Sequence, residues 1–263
     1  MKGVDISHHN GNLKMGLLRS AGYDFAIMKV SEGNGINDRK FETYYSEARE
    51  IGLPVGAYVF SHATTPDVAV AEANYALSII NGRELPLGIY IDVETSGQMS
   101  IPKEKLRETV WAFCQTVERA GYRSGIYGSE YRAWARLAPG DFPTSLIWVA
   151  HYGKEPEIPC DIWQSSDNGR VTGFSGAVDT DVVMSERMRN IVSGVYSSNN
   201  SDGNATDSGG NEPDLPYIRP DISVMMLQAV MACNGYWNED VDGIRTDAFR
   251  ERIVEFAKDV ASC

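Results

Sequence analysis

The stretch Leu87-Gly88-Ile89-Tyr90-Ile91-Asp92-Val93-Glu94-Thr95 reads as a β-strand, yet it carries two acids two residues apart. Side chains alternate between the two faces of a strand. Ile89, Ile91 and Val93 therefore share one face, suited to packing beneath helices. Tyr90, Asp92 and Glu94 share the other, which faces inward if the sheet closes. An isolated buried carboxylate is costly, so a lone structural acid is a poor explanation for this face.

The surrounding rhythm supports closure. GVDIS (3–7), DFAIMKVS (24–31), PVGAYVFS (54–61), LGIYIDVET (87–95), RSGIYGS (123–129) and SLIWVAHY (145–152) read as strands. Helical patterns separate them, near 13–21, 38–51, 65–82, 101–121 and 131–137. Pro66 and Gly82 mark the start and end of the third helix, and Gly121 closes the fourth. Strands alternating with helices predict parallel βαβ units. Seven residues, two of them proline, precede the next strand, CDIWQSS (160–166). A parallel crossover needs about a dozen or more, so the last strands, with AVDTDVV (177–183), are expected to pair antiparallel or close the sheet irregularly. The expected fold is α/β: a barrel of five regular βα units with a helix-poor final quarter, over residues 1–194. A polar linker (195–216) and a small module with two helical segments (217–263) follow.

Composition narrows the class. Charged residues make up 23% of the 263-residue chain and net charge is −12. Residues 1–194 carry 19 basic and 24 acidic side chains, net −5; the remainder carries 5 and 12, net −7. That charge argues against nucleic acid and anionic membranes as partners. No run of 18 apolar residues predicts membrane insertion, and MKGVDISHHN at the start predicts no signal peptide. Four scattered cysteines contain no CxxC pair. The adjacent His8 and His9 look like a metal pair, but neighbours on an extended chain point apart.

In Asp92 and Glu94 the Cα atoms are expected roughly 6.5–7 Å apart. Like charges that close raise one pKa, so one group holds a proton near neutral pH while the other ionises. That pair suits glycosidic-bond hydrolysis, and its spacing separates neither retaining from inverting chemistry nor catalysis from a metal or structural role. Further acids take matching places: Asp5 in GVDIS, Glu32 after the second strand, and Asp179 and Asp181 in AVDTDVV. Asp5 has the alternative of capping, or of pairing with Lys29. Tyr58, Phe60, Tyr127, Trp148, Tyr152, Trp163 and Gln164 sit at other strand ends, and acids with aromatics at one barrel mouth suggest a sugar groove.

GVDISHHNG, KVSEG, GAYVFSHA, YIDVE, GYRSGIYGS, LIWVAHYG, DIWQSS and GAVDTDV, in that order, resemble glycoside hydrolase family 25, the Chalaropsis-type lysozymes or N-acetylmuramidases. The resemblance implies a flattened (β/α)5(β)3 barrel. It implies hydrolysis of the β-1,4 bond from N-acetylmuramic acid to N-acetylglucosamine in bacterial peptidoglycan, with net retention and neither metal nor cofactor. Glu94 matches the general acid/base. Asp92 matches its partner, a nucleophile or the residue orienting the N-acetyl group. Asp5 and Asp179 match the other two site acids. Glu32, Tyr58, Tyr127, Tyr152, Trp163, Gln164 and Asp181 are the expected substrate contacts. Asp181 stands where the family usually has asparagine, an added negative charge. A lysozyme-like chain without a signal peptide resembles a phage endolysin, held in the host cytoplasm until a holin-type release to the wall. A carbohydrate-binding protein without catalysis is the alternative on the same barrel. The segment LQAVMACNGYWNEDVDGIRTDAF resembles a small peptidoglycan-binding module; a homo-oligomerising helical pair is the other reading.

Overall fold

The computed structural model describes residues 1–194. The expected linker and C-terminal module lie outside the described residues. In chain order the elements are β1 (Lys2–Ile6), α1 (Met15–Ser20), β2 (Phe25–Glu32), β3 (Ile36–Asn37), α2 (Phe41–Glu50), β4 (Val55–Phe60), α3 (Pro66–Ile80) and β5 (Ile89–Asp92). Then come α4 (Ser96–Ser100), α5 (Lys103–Arg119), β6 (Ser124–Ser129), β7 (Leu146–Ala150), β8 (Ile162–Arg170), β9 (Ala177–Val183) and α6 (Glu186–Val192).

Among the described residues, eight strands close into a barrel in the order β1-β9-β8-β7-β6-β5-β4-β2, with β2 pairing back to β1 and β3 appended to β2. The pairings from β1 through β2, β4, β5, β6 and β7 to β8 are parallel. β9 runs antiparallel to both β8 and β1. The late antiparallel closure is therefore as expected for β9 alone. β8 joins β7 in parallel, although residues 151–161 contain no helix. Glu130 pins that crossing: its Oε1 accepts the N–H groups of Glu157 (2.7 Å) and Ile158 (3.2 Å). Tertiary hydrogen bonds thus replace the helix that usually carries a parallel return. The helix expected near Tyr131–Leu137 is instead a succession of turns. Arg136 draws those turns onto α4 by donating to the carbonyls of Gln98 (3.0 Å) and Met99 (2.9 Å).

The strand faces sort as alternation demands. Ile89, Ile91 and Val93 join the apolar layer with Val4, Met28, Val59, Ile126 and Val149, against Leu106, Val110, Phe113 and Val117 of α5. The spacing of those α5 residues is the i, i+4, i+7 pattern of an amphipathic helix. α3 starts on Thr65, whose hydroxyl accepts from Val68 N, with Pro66 at the first turn. It ends on Asn81 and Gly82 in left-handed conformation.

The barrel interior changes character along its axis. At the strand starts, Phe25, Leu87, Leu146 and Ile162 form an apolar plug with Val183, and α6 contributes Met188, Ile191 and Val192 to it. Asp161 ties α6 down: Oδ1 accepts from Ser185 Oγ and Arg187 Nε, each at 2.6 Å. Above the plug, Tyr90 fills the interior against Gly125, where a Cβ would stand 2.2 Å from the ring. Beyond the C-terminal strand ends the interior is acidic, and there the barrel opens.

Candidate active site

Four strand ends deliver carboxylates to the open mouth. β1 brings Asp5, β5 brings Asp92 and, just past its end, Glu94, β2 brings Glu32, and β9 brings Asp179. All five acids line a cleft of about 530 Å³ with Tyr58, Tyr127, Trp148, Tyr152 and Gln164. Ser7, His9, Asn10, Lys29 and Phe60 complete the lining. The C-terminal mouth is where α/β barrels carry their chemistry.

Register explains the convergence. Asp5 pairs directly with Asp179 across the antiparallel β1–β9 ladder. Asp92 lies between Phe60 of β4 and Tyr127 of β6. Glu94 is held by the turn on its C-terminal side. Its backbone N–H and that of Thr95 donate to Gln98 Oε1 at 3.1 and 3.0 Å, so the buried Gln98 side chain fixes the strand-to-α4 turn. Thr95 caps α4 in return.

Gln164 is the hub of the far wall. Its Oε1 accepts from the hydroxyls of Tyr127 (2.9 Å) and Tyr152 (3.1 Å), and its Nε2 donates to Asp5 Oδ2 (2.7 Å). Two hydroxyl donors on one side and a carboxylate on the other leave the amide a single sensible orientation. Trp148 floors the cleft, with Tyr127, Tyr90 and Tyr58 ring centroids at 4.5, 5.4 and 6.4 Å.

The electrostatics separate the acids. Burial pushes the Asp92 carboxyl well above the ordinary carboxylate range, and the neighbouring Glu94 charge pushes it further, opposed by Lys29. Burial also raises Glu94, with Arg132 and Lys29 opposing. Asp5 is raised well above its ordinary value by burial and then by Asp181 and Asp179. Asp179 is raised to about 6, burial being the main cause. Glu32 goes the other way. Lys29 Nζ donates to its Oε2 at 2.8 Å and His62 Nε2 stands 3.2 Å from its Oε1, so it remains a carboxylate. Lys29 thus pairs with Glu32, not with Asp5 as the alternative from sequence had it.

Two expected contacts stand elsewhere. Trp163 neighbours Gln164 on β8, so the pleat turns it to the opposite face, away from the cleft. Its indole N–H donates to the His151 carbonyl at 2.7 Å and braces the segment that carries Tyr152. Asp181 shares the inward face with Asp179 but lies one layer deeper, paired with Gly3 and fully buried. It is not among the residues that line the cleft. Of the adjacent histidines, His9 lines the cleft while His8 Nδ1 is held by Asp38 Oδ2 at 2.7 Å. From sequence, Ser7 reads as the end of the first strand, His9 reads as half of a metal-like pair, and Asn10 goes unremarked; the strand in fact ends at Ile6 and Ser7 caps the turn that follows. The signal was the capping pattern itself: Asn10 Oδ1 accepts from Ser7 N (2.9 Å), and Asn10 Nδ2 reaches the Ala177 carbonyl of β9 (3.1 Å).

Comparison with known proteins agrees with this geometry. The autolytic lysozyme of Clostridium acetobutylicum is 26% identical over 262 residues, covering 97% of this chain and 72% of that protein. Lysozyme M1 of Streptomyces globisporus is 30% identical over 197 residues, 68% of this chain and 66% of that protein. Among solved structures, the CTP1L endolysin matches with a TM-score of 0.61 at 26% identity, over 73% of this chain and 69% of that one. The family description that matches, over residues 4–174 and thus from β1 into the turn before β9, is "Glycosyl hydrolases family 25". The chain belongs to that family of glycoside hydrolases.

Proposed function

We propose that this chain is a lysozyme-type peptidoglycan hydrolase that cleaves the β-1,4 bond between N-acetylmuramic acid and N-acetylglucosamine with net retention. The family match and the lysozyme relatives support the peptidoglycan hydrolase activity, and with it action at the cell wall. The observation that carries the residue roles is the convergence of Asp92 and Glu94 on one cleft with Asp5 and Asp179.

Glu94 is the general acid. Its half-buried site favours the protonated form, and the cleft gives it access to the leaving oxygen. Asp92 acts on the sugar side, as nucleophile or by orienting the N-acetyl group. Glu94, once ionised, then takes the proton from the attacking water, which restores the starting state. Asp5 and Asp179 hold substrate and water in place, with Gln164, Tyr127 and Tyr152 as the polar wall. Tyr58 and Trp148 lie in the cleft floor. Within the same proposal, 1–194 is the catalytic unit, 195–216 a linker and 217–263 a wall-binding or oligomerising module. The chain then acts as an endolysin released by a holin-type route.

Glu94→Gln keeps the shape and removes the proton. The full chain carrying it should still bind purified walls but release reducing ends at least about a hundredfold more slowly. Full activity in that variant ends the proposal. Binding without clearing by the unmodified protein would mark a lectin.

A further inference from the structure

β6 ends at Ser129, and the chain turns at once through Glu130, Tyr131 and Arg132. Tyr127, near the end of that strand, lines the cleft, so the turn stands on the rim of the open mouth. The turn is fixed from below. The N–H groups of Arg132 and Trp134 both donate to the Ser129 carbonyl at 3.2 Å, and the buried Trp134 indole donates to the Trp148 carbonyl at 3.3 Å. Tyr131 itself is 69% exposed.

Its hydroxyl is nonetheless held, 3.2 Å from His151 Nε2. His151 and Glu130 are both buried, and Glu130 Oε2 stands against His151 Nδ1. An acceptor at Nδ1 assigns the ring proton to that nitrogen and leaves Nε2 to accept from the Tyr131 hydroxyl. Glu130 Oε1 is anchored in turn by the N–H groups of Glu157 and Ile158. A buried pair therefore aims a ring that water surrounds. The Tyr131 and His151 rings meet at 69°, centroids 5.0 Å apart, so the imidazole does not cover Tyr131 by face-to-face stacking. Ordering an exposed side chain costs rotamer entropy and returns little to the fold.

Placement supplies the reason for that ordering. His151 leads directly into Tyr152, which is half exposed and lines the cleft. Among the described residues, the exposed Tyr, Trp and Phe side chains are Tyr131, Tyr152 and Trp111; two of them stand at this mouth, and Trp111 lies on α5. An aromatic face receives the C–H side of a sugar ring without needing charge. The cleft, about 530 Å³, encloses a short stretch of glycan. A wall strand is a polymer, so the rest of it passes over the rim.

We propose that Tyr131 is a sugar-binding platform that stacks on a saccharide unit of the glycan strand lying beyond the cleft, next to Tyr152, with Glu130 and His151 as the residues that position it. The inference rests on the cleft being the hydrolytic site for peptidoglycan.

The experiment measures reducing-end release by the full chain from uncross-linked peptidoglycan strands sorted by length, from the tetrasaccharide upward. For the unmodified chain, KM should fall as strands outgrow the cleft. Tyr131→Ala should remove that gain, raising KM on long strands about tenfold relative to KM on the tetrasaccharide, with the loss in KM rather than in kcat. Tyr131→Phe keeps the ring and should recover most of the gain. Trp111→Ala, remote from the mouth, should keep the unmodified length dependence. The proposal is overturned if Tyr131→Ala keeps that dependence, if it weakens tetrasaccharide and long strands equally, if Tyr131→Phe behaves like Tyr131→Ala, or if Trp111→Ala loses the gain as well. Inactivity of the unmodified chain on every length would sink the hydrolase reading itself, and this inference with it.

Discussion

Replacing Gln164 by leucine would remove the hub of the far wall while nearly conserving volume. Gln164 is 2% exposed and holds three partners at 2.7–3.1 Å. Tyr152 is half exposed and would turn its hydroxyl to water at little cost. The Tyr127 hydroxyl is less free, and its lost bond costs about 1 kcal/mol. Losing the Asp5 bond leaves a buried carboxyl without its amide donor, which costs about 2 kcal/mol. The sum, about 3 kcal/mol, corresponds to a Tm lower by about 6–12 °C for a domain of this size. Calorimetry of the full chain at pH 7 measures it. Activity should fall with stability, because Tyr127, Tyr152 and Asp5 all lose the group that orients them. A loss under about 2 °C with unchanged wall clearing would show that the Gln164 network orients nothing.

Two further outcomes rest on packing and charge. Gly125→Ala places a methyl 2.2 Å from the Tyr90 ring in a filled interior, and the overpacking should cost about 2 kcal/mol. Gly140→Ala meets open space and should change Tm by less than about 2 °C; equal losses at both sites refute the interior-packing argument. Asp5, Asp92, Glu94, Asp179 and Asp181 all have folded-state pKa values raised above those of the unfolded chain. The folded state therefore holds protons that the unfolded state releases. Stability is fully present below the unfolded values and declines as pH rises through the folded ones, for Asp179 from 3.8 to about 6. Urea titrations at pH 4.5 and pH 7 should show the decline, and Asp179→Asn should flatten it; greater stability at pH 7 than at pH 4.5 contradicts the assignment.

Much of this was legible in the sequence because alternation is a hard geometric rule. Ile89, Ile91 and Val93 fell on one face and Tyr90, Asp92 and Glu94 on the other from spacing alone, and β9 was delimited at Ala177–Val183. The same rule, applied to Trp163 and Gln164 as neighbours, excludes both from one face; aromatic character obscured that. Depth is invisible to alternation, so Asp179 and Asp181 looked equivalent until the ladder with β1 placed one beside Asp5 and the other beside Gly3. The turns at 131–137 and the parallel return to β8 depend on Arg136 and Glu130 reaching distant backbone, which no local pattern encodes. α6 spans only seven residues, too few for periodicity to stand out, and its apolar partners come from several strands and the Leu87 loop.

The most direct test of the central claim is mass analysis of purified peptidoglycan after digestion by the unmodified chain. Muramidase chemistry predicts disaccharide–peptide fragments with N-acetylmuramic acid at the new reducing end. Fragments ending in reducing N-acetylglucosamine, or peptides released from intact glycan strands, would contradict it.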